Sequence, residues 1–372
     1  MSTPEAFRLT KESLVSTVQD GQLTAENLSL EVGDVSFVYR RFGNAQTAAP
    51  ALVMLQHFRG NLDNWDPALV DRLAQDREVI LVNNRGVGGS TGVVPDDVTT
   101  MARDALAFID ALGLKQIDLL GFSLGGYVAQ ELVLLRPRLV RRIVLAGTAP
   151  QGGPNLHRWS DEVYALATPD EPTAENLLSL FFSGSDQSRA KGMESIGRLF
   201  QREVDRDEPT DLATRDAQLA AITAWGIPDE SRLNRLAGIT EPTFVANGDN
   251  DTMMHTQNSH LLAERLPNAQ LRIYPDAGHG FLNQLTGAIR RRRPRISREV
   301  TRRRVGPLTI HHVEGAAIVR NQHAQARCAR ARVASGRRSD RQPAVPVRAE
   351  PGRGARRARR AAGRADRQAA RE

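Results

Sequence analysis

Residues 119–133, LLGFSLGGYVAQELV, join an apolar run to a helix-length segment through a serine flanked by glycines. Gly121, Ser123 and Gly125 form the pattern G-x-S-x-G between a strand-like stretch and a helix-like one. Such a serine sits at the tip of a strained turn, where small neighbours are needed and the N–H of Leu124 points towards a developing oxyanion. The stretch therefore predicts Ser123 as a nucleophile and Leu124 as an oxyanion donor. The alternative is that the glycines only allow a helix to pack closely on a sheet.

Short, nearly continuous apolar runs recur on both sides of this turn. They are ALVMLQH (51–57), EVILVN (78–83), IDLLGF (117–122), RIVLAGT (142–148), PTFVANG (242–248) and AQLRIYP (269–275). Strands buried on both faces have this composition, and helix-length segments such as 97–112 and 125–136 alternate with them. We therefore predict an α/β fold with a mostly parallel sheet and helices on both faces. The segment 28–43 alternates apolar and polar residues around Gly33-Asp34, which predicts a hairpin.

The region 150–235 breaks this rhythm, because it has no buried-strand run and reads as several amphipathic helices. We expect a helical cap inserted over the sheet, with an apolar set of residues that forms either a pocket or the core of the cap. That set is Leu177, Leu178, Phe181, Phe182 and Trp225. The predicted division of the chain is an N-terminal extension (1–25), a first core part (26–149), the cap (150–235), a second core part (236–286) and a tail (287–372).

A serine hydroxyl becomes a good nucleophile only when a base removes its proton and a carboxylate orients that base. The second core part contains candidates for both groups. Asp251 follows the run that ends at residue 248, and His279 follows the next run, between Gly278 and Gly280. The carboxyl ends of parallel strands meet at one edge of a sheet, so the two side chains should meet there. We predict Asp251 as the acid and His279 as the base, with Asp249 as the competing acid. The glycines suggest an exposed, sharply turned position for His279.

Residues 26–284 resemble the serine-nucleophile branch of the α/β-hydrolase superfamily, close to esterases and non-haem haloperoxidases. The resemblance rests on four stretches: QHFRGNLDNWDP (56–67), NNRGVGGSTG (83–92), DLLGFSLGGYVAQEL (118–132) and residues 248–280 from GDND to AGHG. It implies an α/β-hydrolase fold with an eight-stranded type of sheet. It also implies a Ser123, Asp251 and His279 triad.

The resemblance further implies that the loop after the third strand completes the oxyanion hole. Family members usually have His-Gly there, whereas this chain has His57-Phe58-Arg59-Gly60. We predict the N–H of Arg59 as the second donor, with Phe58 as the alternative, and interpret His57 as a structural residue that braces the loop. The expected enzyme hydrolyses a carboxylic ester or related acyl bond in a small molecule. Haloperoxidase or perhydrolase activity would use the same triad.

The C-terminal 86 residues differ in composition from the rest. Residues 287–372 contain 25 arginines, no lysine and six acidic residues, a local net charge of +19, so residues 1–286 carry about −12 of the overall +7. The tail has no aromatic residue and few large aliphatic ones, which predicts disorder. Both a genuine basic extension and a frame-shifted reading of GC-rich DNA fit it. A non-catalytic scaffold whose tail binds polyanions is the competing function, although the lack of aromatic residues disfavours sequence-specific nucleic-acid contacts.

Neither a cofactor nor a metal is expected. GVGGSTG (86–92) lacks the Gly-Lys-Ser/Thr ending of a phosphate loop, and His255, His260 and His311-His312 lack metal-ligand spacing. Cys328 is the single cysteine, and neither a secretory leader nor an apolar run of membrane length is evident. These features predict a cytoplasmic protein without disulfides or membrane attachment.

Overall fold

The computed structural model describes residues 21–284, which all belong to one compact unit. The predictions for the Arg-rich tail and for most of the N-terminal extension lie outside these residues. Residues 21–25, assigned above to the extension, are packed against the core: Gln22 is buried and its side-chain amide donates to the carbonyl of Leu62 at 2.6 Å.

Eight strands form one sheet in the order β1-β2-β4-β3-β5-β6-β7-β8. The strands are β1 (Leu28–Val32), β2 (Val35–Gly43), β3 (Leu52–Leu55), β4 (Glu78–Val82), β5 (Ile117–Phe122), β6 (Val140–Ala146), β7 (Thr243–Gly248) and β8 (Ala269–Tyr274). All neighbours from β4 to β8 pair in parallel, whereas β2 is antiparallel to both β1 and β4. The predicted hairpin and the mostly parallel sheet are confirmed.

Ten α-helices connect the strands within the described range. They are α1 (Pro67–Ala74), α2 (Val98–Ala111), α3 (Leu124–Leu135), α4 (Asp161–Ala167), α5 (Ala174–Phe181), α6 (Asp186–Leu199), α7 (Leu212–Trp225), α8 (Glu230–Leu233), α9 (Thr256–Arg265) and α10 (Phe281–Gln284). Helices α4 to α8 lie between β6 and β7, in the segment predicted to be helical, and residues 150–235 are called the helical insertion below. Among residues 21–284, no helix is both long enough and apolar enough to span a membrane.

Alternate side chains of the central strands belong to two apolar layers, one on each face of the sheet. On β3, Val53 and Leu55 join one layer, while Leu52 and Met54 join the other. All four side chains are buried, and each contributes about 1.5–3 kcal/mol through removal from water. The two layers fix the sheet between helices, so the strand ends that carry polar residues are held rigidly.

The prediction of burial on both faces was wrong for β8. Its residues are half-buried or exposed, whereas every residue of β5 is buried. The reason is position, because β8 is an edge strand and β5 lies in the middle of the sheet. An apolar run in the sequence does not distinguish these two positions.

Candidate active site

Ser123 occupies the sharp turn between β5 and α3. Its backbone has φ 55° and ψ −117°, a conformation that non-glycine residues rarely adopt. Two hydrogen bonds hold it, from Ser123 N–H to the carbonyl of Ala146 at 2.9 Å and from Thr148 Oγ1 to the carbonyl of Ser123 at 2.8 Å. A Cβ at Gly121 would collide with the carbonyl of Gly125, so the turn requires glycine there. Residues 121–126 are called the serine turn below.

Asp251 lies three residues after β7 and is buried. Its Oδ1 accepts the N–H groups of Met253 and Met254 at 2.9 and 2.8 Å. Its Oδ2 lies 2.7 Å from Nδ1 of His279. A carboxylate only accepts, so Nδ1 of His279 carries a proton and Nε2 is left as the basic nitrogen.

Asp249, the competing acid, is exposed and has a different task. Its Oδ1 accepts the N–H of Ala277 at 3.3 Å, and its own N–H donates to the carbonyl of Tyr274 at 3.0 Å. Asp249 therefore ties the end of β7 to the turn that precedes His279. The structure places Asp251, rather than Asp249, against the imidazole.

His279 is 1% exposed, which contradicts the exposed position expected from its flanking glycines. The end of α5 covers it: Gly280 N–H donates to the carbonyl of Phe181 at 2.6 Å, and the Phe181 ring lies edge-on to the imidazole. A Cβ on Gly278 would approach that carbonyl to 2.8 Å. The glycines thus permit close packing under the helical insertion instead of exposure.

Ser123 and His279 line the same pocket, but their hydrogen bond is not formed. Ser123 Oγ is buried and has no partner among the described residues. The ring of Phe122, next to the serine, stacks on His279 with 5.1 Å between centroids. Hydrogen bonds between catalytic groups are often formed only with substrate bound, so this arrangement is compatible with proton transfer.

The pocket has a volume of about 420 Å³ and lies between the serine turn and the helical insertion. Leu177, Leu180 and Phe181 of α5 give it an apolar wall, together with Leu166 and Leu199. The predicted apolar set is divided. Leu178 and Phe182 pack with Ile196 inside the insertion, and Trp225 stacks on Tyr127, while Leu177 and Phe181 face the pocket.

The loop of residues 57–64 forms another side of the pocket. The N–H of Arg59, predicted as an oxyanion donor, already donates to Oε1 of Gln218 at 2.7 Å. Within residues 21–284, the N–H groups of Leu124 and Phe58 have no such acceptor. The prediction of Arg59 is therefore revised in favour of Phe58, because a donor engaged by a buried acceptor is not free for substrate.

His57 braces this loop, as the sequence indicated. Its Nδ1 lies 2.8 Å from the carbonyl of Phe58, so Nδ1 carries the proton of the neutral ring. The pKa of His57 is lowered to about 4, chiefly because the ring is buried; the hydrogen bond to Phe58 opposes this lowering, and the nearby imidazole of His279 adds a smaller contribution to it. His57 is therefore uncharged at neutral pH and adds no positive charge beside His279.

The glycine-rich loop 86–92 binds a carboxylate of this same chain. Gly89 N–H donates to Asp207 Oδ1 at 2.8 Å, and Asn83 Nδ2 donates to Asp207 Oδ2 at 2.6 Å. Asp207 belongs to the helical insertion and also accepts the N–H of Leu62 at 3.1 Å. The loop therefore connects the insertion to the 57–64 loop. In the described part of the chain, no three acidic, histidine or cysteine side chains converge as a metal site.

Comparison with known proteins agrees with this architecture. The alpha/beta hydrolase fold family model matches residues 50–283, so the chain belongs to that family. The α/β-hydrolase fold with its eight-stranded sheet, and the predicted membership of the α/β-hydrolase superfamily, are thereby confirmed.

Three similar proteins show the range of relatives. RutD of Stutzerimonas stutzeri, which carries the name carbamate hydrolase, is 29% identical over 244 residues, covering 65% of this chain and 89% of RutD. BpoC of Mycobacterium tuberculosis, named as a non-haem bromoperoxidase, is 26% identical and covers 59% of this chain and 83% of BpoC. An alpha/beta hydrolase fold protein from Chitinophaga pinensis is 42% identical with a TM-score of 0.67, covering 71% of this chain and 94% of that one. The chain is an enzyme of the hydrolase class.

Proposed function

We propose that this enzyme cleaves a carboxylic ester or related acyl bond of a small molecule through Ser123, His279 and Asp251. The observation that carries the proposal is the 2.7 Å contact of His279 Nδ1 with Asp251 Oδ2, beside a serine in a strained turn that lines the same pocket. Asp251 fixes the tautomer of the imidazole and leaves Nε2 as the base.

In the first half-reaction, Nε2 of His279 takes the proton of Ser123 Oγ while Oγ bonds to the acyl carbon. The carbonyl oxygen becomes an oxyanion, which the N–H groups of Leu124 and Phe58 stabilise. The bond to the leaving group breaks as His279 returns the proton to it. Water then attacks the acyl-enzyme with His279 as base, which releases the acid and restores Ser123.

Two features of the pocket support this chemistry. Leu124 N–H lies at the start of α3, where the helix dipole favours negative charge. The apolar wall from α5 suits the hydrocarbon part of an acyl group.

The test is hydrolysis of short-chain p-nitrophenyl esters by the full chain and by Ser123→Ala, with circular dichroism to show that both are folded. We expect the variant to lose at least about 10⁴-fold in kcat. A p-nitrophenyl carbamate in the same assay tests the chemistry named for RutD, and hydrogen peroxide as acyl acceptor tests the perhydrolase alternative. Equal rates for wild type and Ser123→Ala would refute the proposal.

A further inference from the structure

Every polar group of Arg59 except Nε forms a hydrogen bond with the helical insertion. Its N–H donates to Gln218 Oε1 at 2.7 Å, and its carbonyl accepts from Thr210 Oγ1 at 3.1 Å. Its guanidinium donates to the carbonyls of Pro169 and Asp170 at 2.6 and 3.0 Å. Three separate segments of the insertion therefore hold one residue of the 57–64 loop.

The backbone of Arg59 has a conformation that is unusual for a residue with a side chain. Its φ is +59°, a left-handed value that costs an arginine conformational energy and persists only where the surroundings impose it. Within residues 21–284 the guanidinium has no carboxylate at ion-pair distance, so its side chain is held by neutral carbonyls. Arg59 lies in a turn that Gly60 N–H closes on the carbonyl of His57 at 3.0 Å, and the hydrogen bonds with the insertion hold this turn in place.

Gln218 is the anchor that lies on α7. It is fully buried on α7, on the same stripe as Thr214, Ala221, Ile222 and Trp225. A buried glutamine on an otherwise largely apolar stripe needs a reason, and here its Oε1 accepts a backbone N–H of the 57–64 loop. Without this acceptor, the Arg59 N–H would be left free beside the pocket.

Helix α7 also contacts the other side of the site. Trp225 stacks on Tyr127 of α3, with 5.1 Å between ring centroids and an interplanar angle of 15°. Its Nε1 donates to the carbonyl of Ala149 at 3.3 Å. Because α3 begins with Leu124, α7 touches both the helix that carries one free N–H and the loop that carries the other.

We propose that α7 sets the separation of the two oxyanion donors, with Gln218 as a positioning residue. By accepting the Arg59 N–H, Gln218 fixes the loop so that the preceding peptide presents the Phe58 N–H to the substrate oxyanion. The stack of Trp225 on Tyr127 holds the same helix against the segment that carries Leu124. This inference rests on the acyl-transfer function proposed above. It assigns to the helical insertion a part in positioning the donors of the oxyanion hole.

The test uses four variants of the full chain. Gln218→Leu keeps the size of the side chain and removes the acceptor, whereas Gln218→Glu retains acceptor oxygens. Gln218→Asn shortens the reach and serves if the leucine variant does not fold. Gln201→Leu is the matched control, because Gln201 is exposed and lies elsewhere in the insertion.

Two quantities are measured for each variant: ester hydrolysis, and inhibition by an alkyl trifluoromethyl ketone that forms a tetrahedral oxyanion with the serine. For Gln218→Leu we expect kcat to fall about 10-fold to 100-fold with KM within twofold, and the inhibition constant to rise in parallel with the loss of kcat/KM. Gln218→Asn should show the same pattern, Gln218→Glu should recover to within about fivefold of wild type, and Gln201→Leu should be unchanged.

The outcomes separate the two proposals. If Ser123→Ala abolishes hydrolysis while folded Gln218→Leu and Gln218→Asn keep wild-type kcat and inhibition, only the role of Gln218 is overturned. It is also overturned if Gln218→Glu is as poor as Gln218→Leu while both bind the ketone normally. If Ser123→Ala hydrolyses normally, or the wild type neither reacts with any acyl donor tested nor binds the ketone, both proposals fail.

Discussion

The serine turn and the 57–64 loop lie on the same pocket but are built in different ways. The serine turn is made within the core, where its glycines avoid collisions with neighbouring backbone and its hydrogen bonds reach β6 and the residues that follow it. The 57–64 loop has local hydrogen bonds as well, but it is also tied to residues of the insertion that lie more than a hundred positions away in sequence. A turn made by local backbone packing leaves a motif in the sequence, whereas a loop held from a distance leaves almost none.

The strongest way to break the serine turn is Gly121→Ala. The new methyl group would collide with the carbonyl of Gly125, and backbone cannot move as a side chain can. We expect the free energy of unfolding to fall by about 3 kcal/mol and hydrolysis to fall at least about 100-fold. Urea denaturation and ester assays measure both. Gly184→Ala is the control, since its Cβ would meet open space, and similar results for the two variants would contradict this description of the turn.

The corresponding substitution for the 57–64 loop is Asp207→Ala, in the helical insertion. It leaves the N–H groups of Leu62 and Gly89 and the amide of Asn83 without their acceptor, which should lower the free energy of unfolding by about 2 kcal/mol. Activity should fall about 10-fold, mainly in kcat, because the loop is displaced rather than removed. Denaturation and steady-state kinetics check this, with exposed Glu208→Ala as the control. Unchanged kcat in a folded Asp207→Ala would show that the hydrogen bonds of Asp207 do not contribute to the geometry of the site.

The pH dependence of the free energy of unfolding tests the role of His57, which braces the same loop. Because the pKa of His57 is lowered to about 4 in the folded state, against about 6.5 when unfolded, the unfolded chain binds more protons between these values. The stabilisation is therefore complete above pH 6.5 and lost as the pH falls towards 4, with about 2 kcal/mol gone at pH 5.

Urea denaturation at pH 7 and pH 5, for wild type and His57→Gln, isolates this contribution from other titrating groups. The variant should lose about 2 kcal/mol less than wild type over the same interval. An identical pH dependence in the two proteins would mean that His57 titrates normally and is not buried as a neutral brace.

The smallest expected effect concerns the backbone of Arg59. Arg59→Gly and Arg59→Ala both remove the guanidinium contacts, but only glycine adopts a φ of +59° without strain. We expect Arg59→Gly to be about 1 kcal/mol more stable than Arg59→Ala, measured by thermal or urea unfolding. If the alanine variant is the more stable one, the positive φ is not a property of the folded loop.

The same contrast explains how much could be predicted from the sequence. The strand runs and the serine motif predicted the sheet and the place of Ser123, because both depend on residues adjacent in sequence. The order of Asp251 and His279 also sufficed to bring them to one edge, since parallel strands end together. Burial was predicted less well: β8 lies at an edge, and His279 is covered by α5, which the glycines alone could not reveal.

The 57–64 loop was the hardest part to predict, since the Arg59 N–H is engaged by Gln218, which lies 159 residues later. The one signal available was a glutamine among apolar residues at helical spacing in AQLAAITAWG. That pattern suggests a buried polar group with a partner but does not name the partner. The role of the loop 86–92, which lacks a phosphate-loop ending, could not be predicted either, because it depends on the hydrogen bond from Gly89 N–H to the distant Asp207.

The most direct test of the account is covalent labelling with a fluorophosphonate, which reacts with an activated serine, followed by peptide mass spectrometry of the full chain. We predict modification at Ser123, none in Ser123→Ala, and labelling slowed by about 10³-fold or more in His279→Ala and Asp251→Asn. Modification at another serine, or labelling of Ser123 at an unchanged rate in His279→Ala, would contradict the triad.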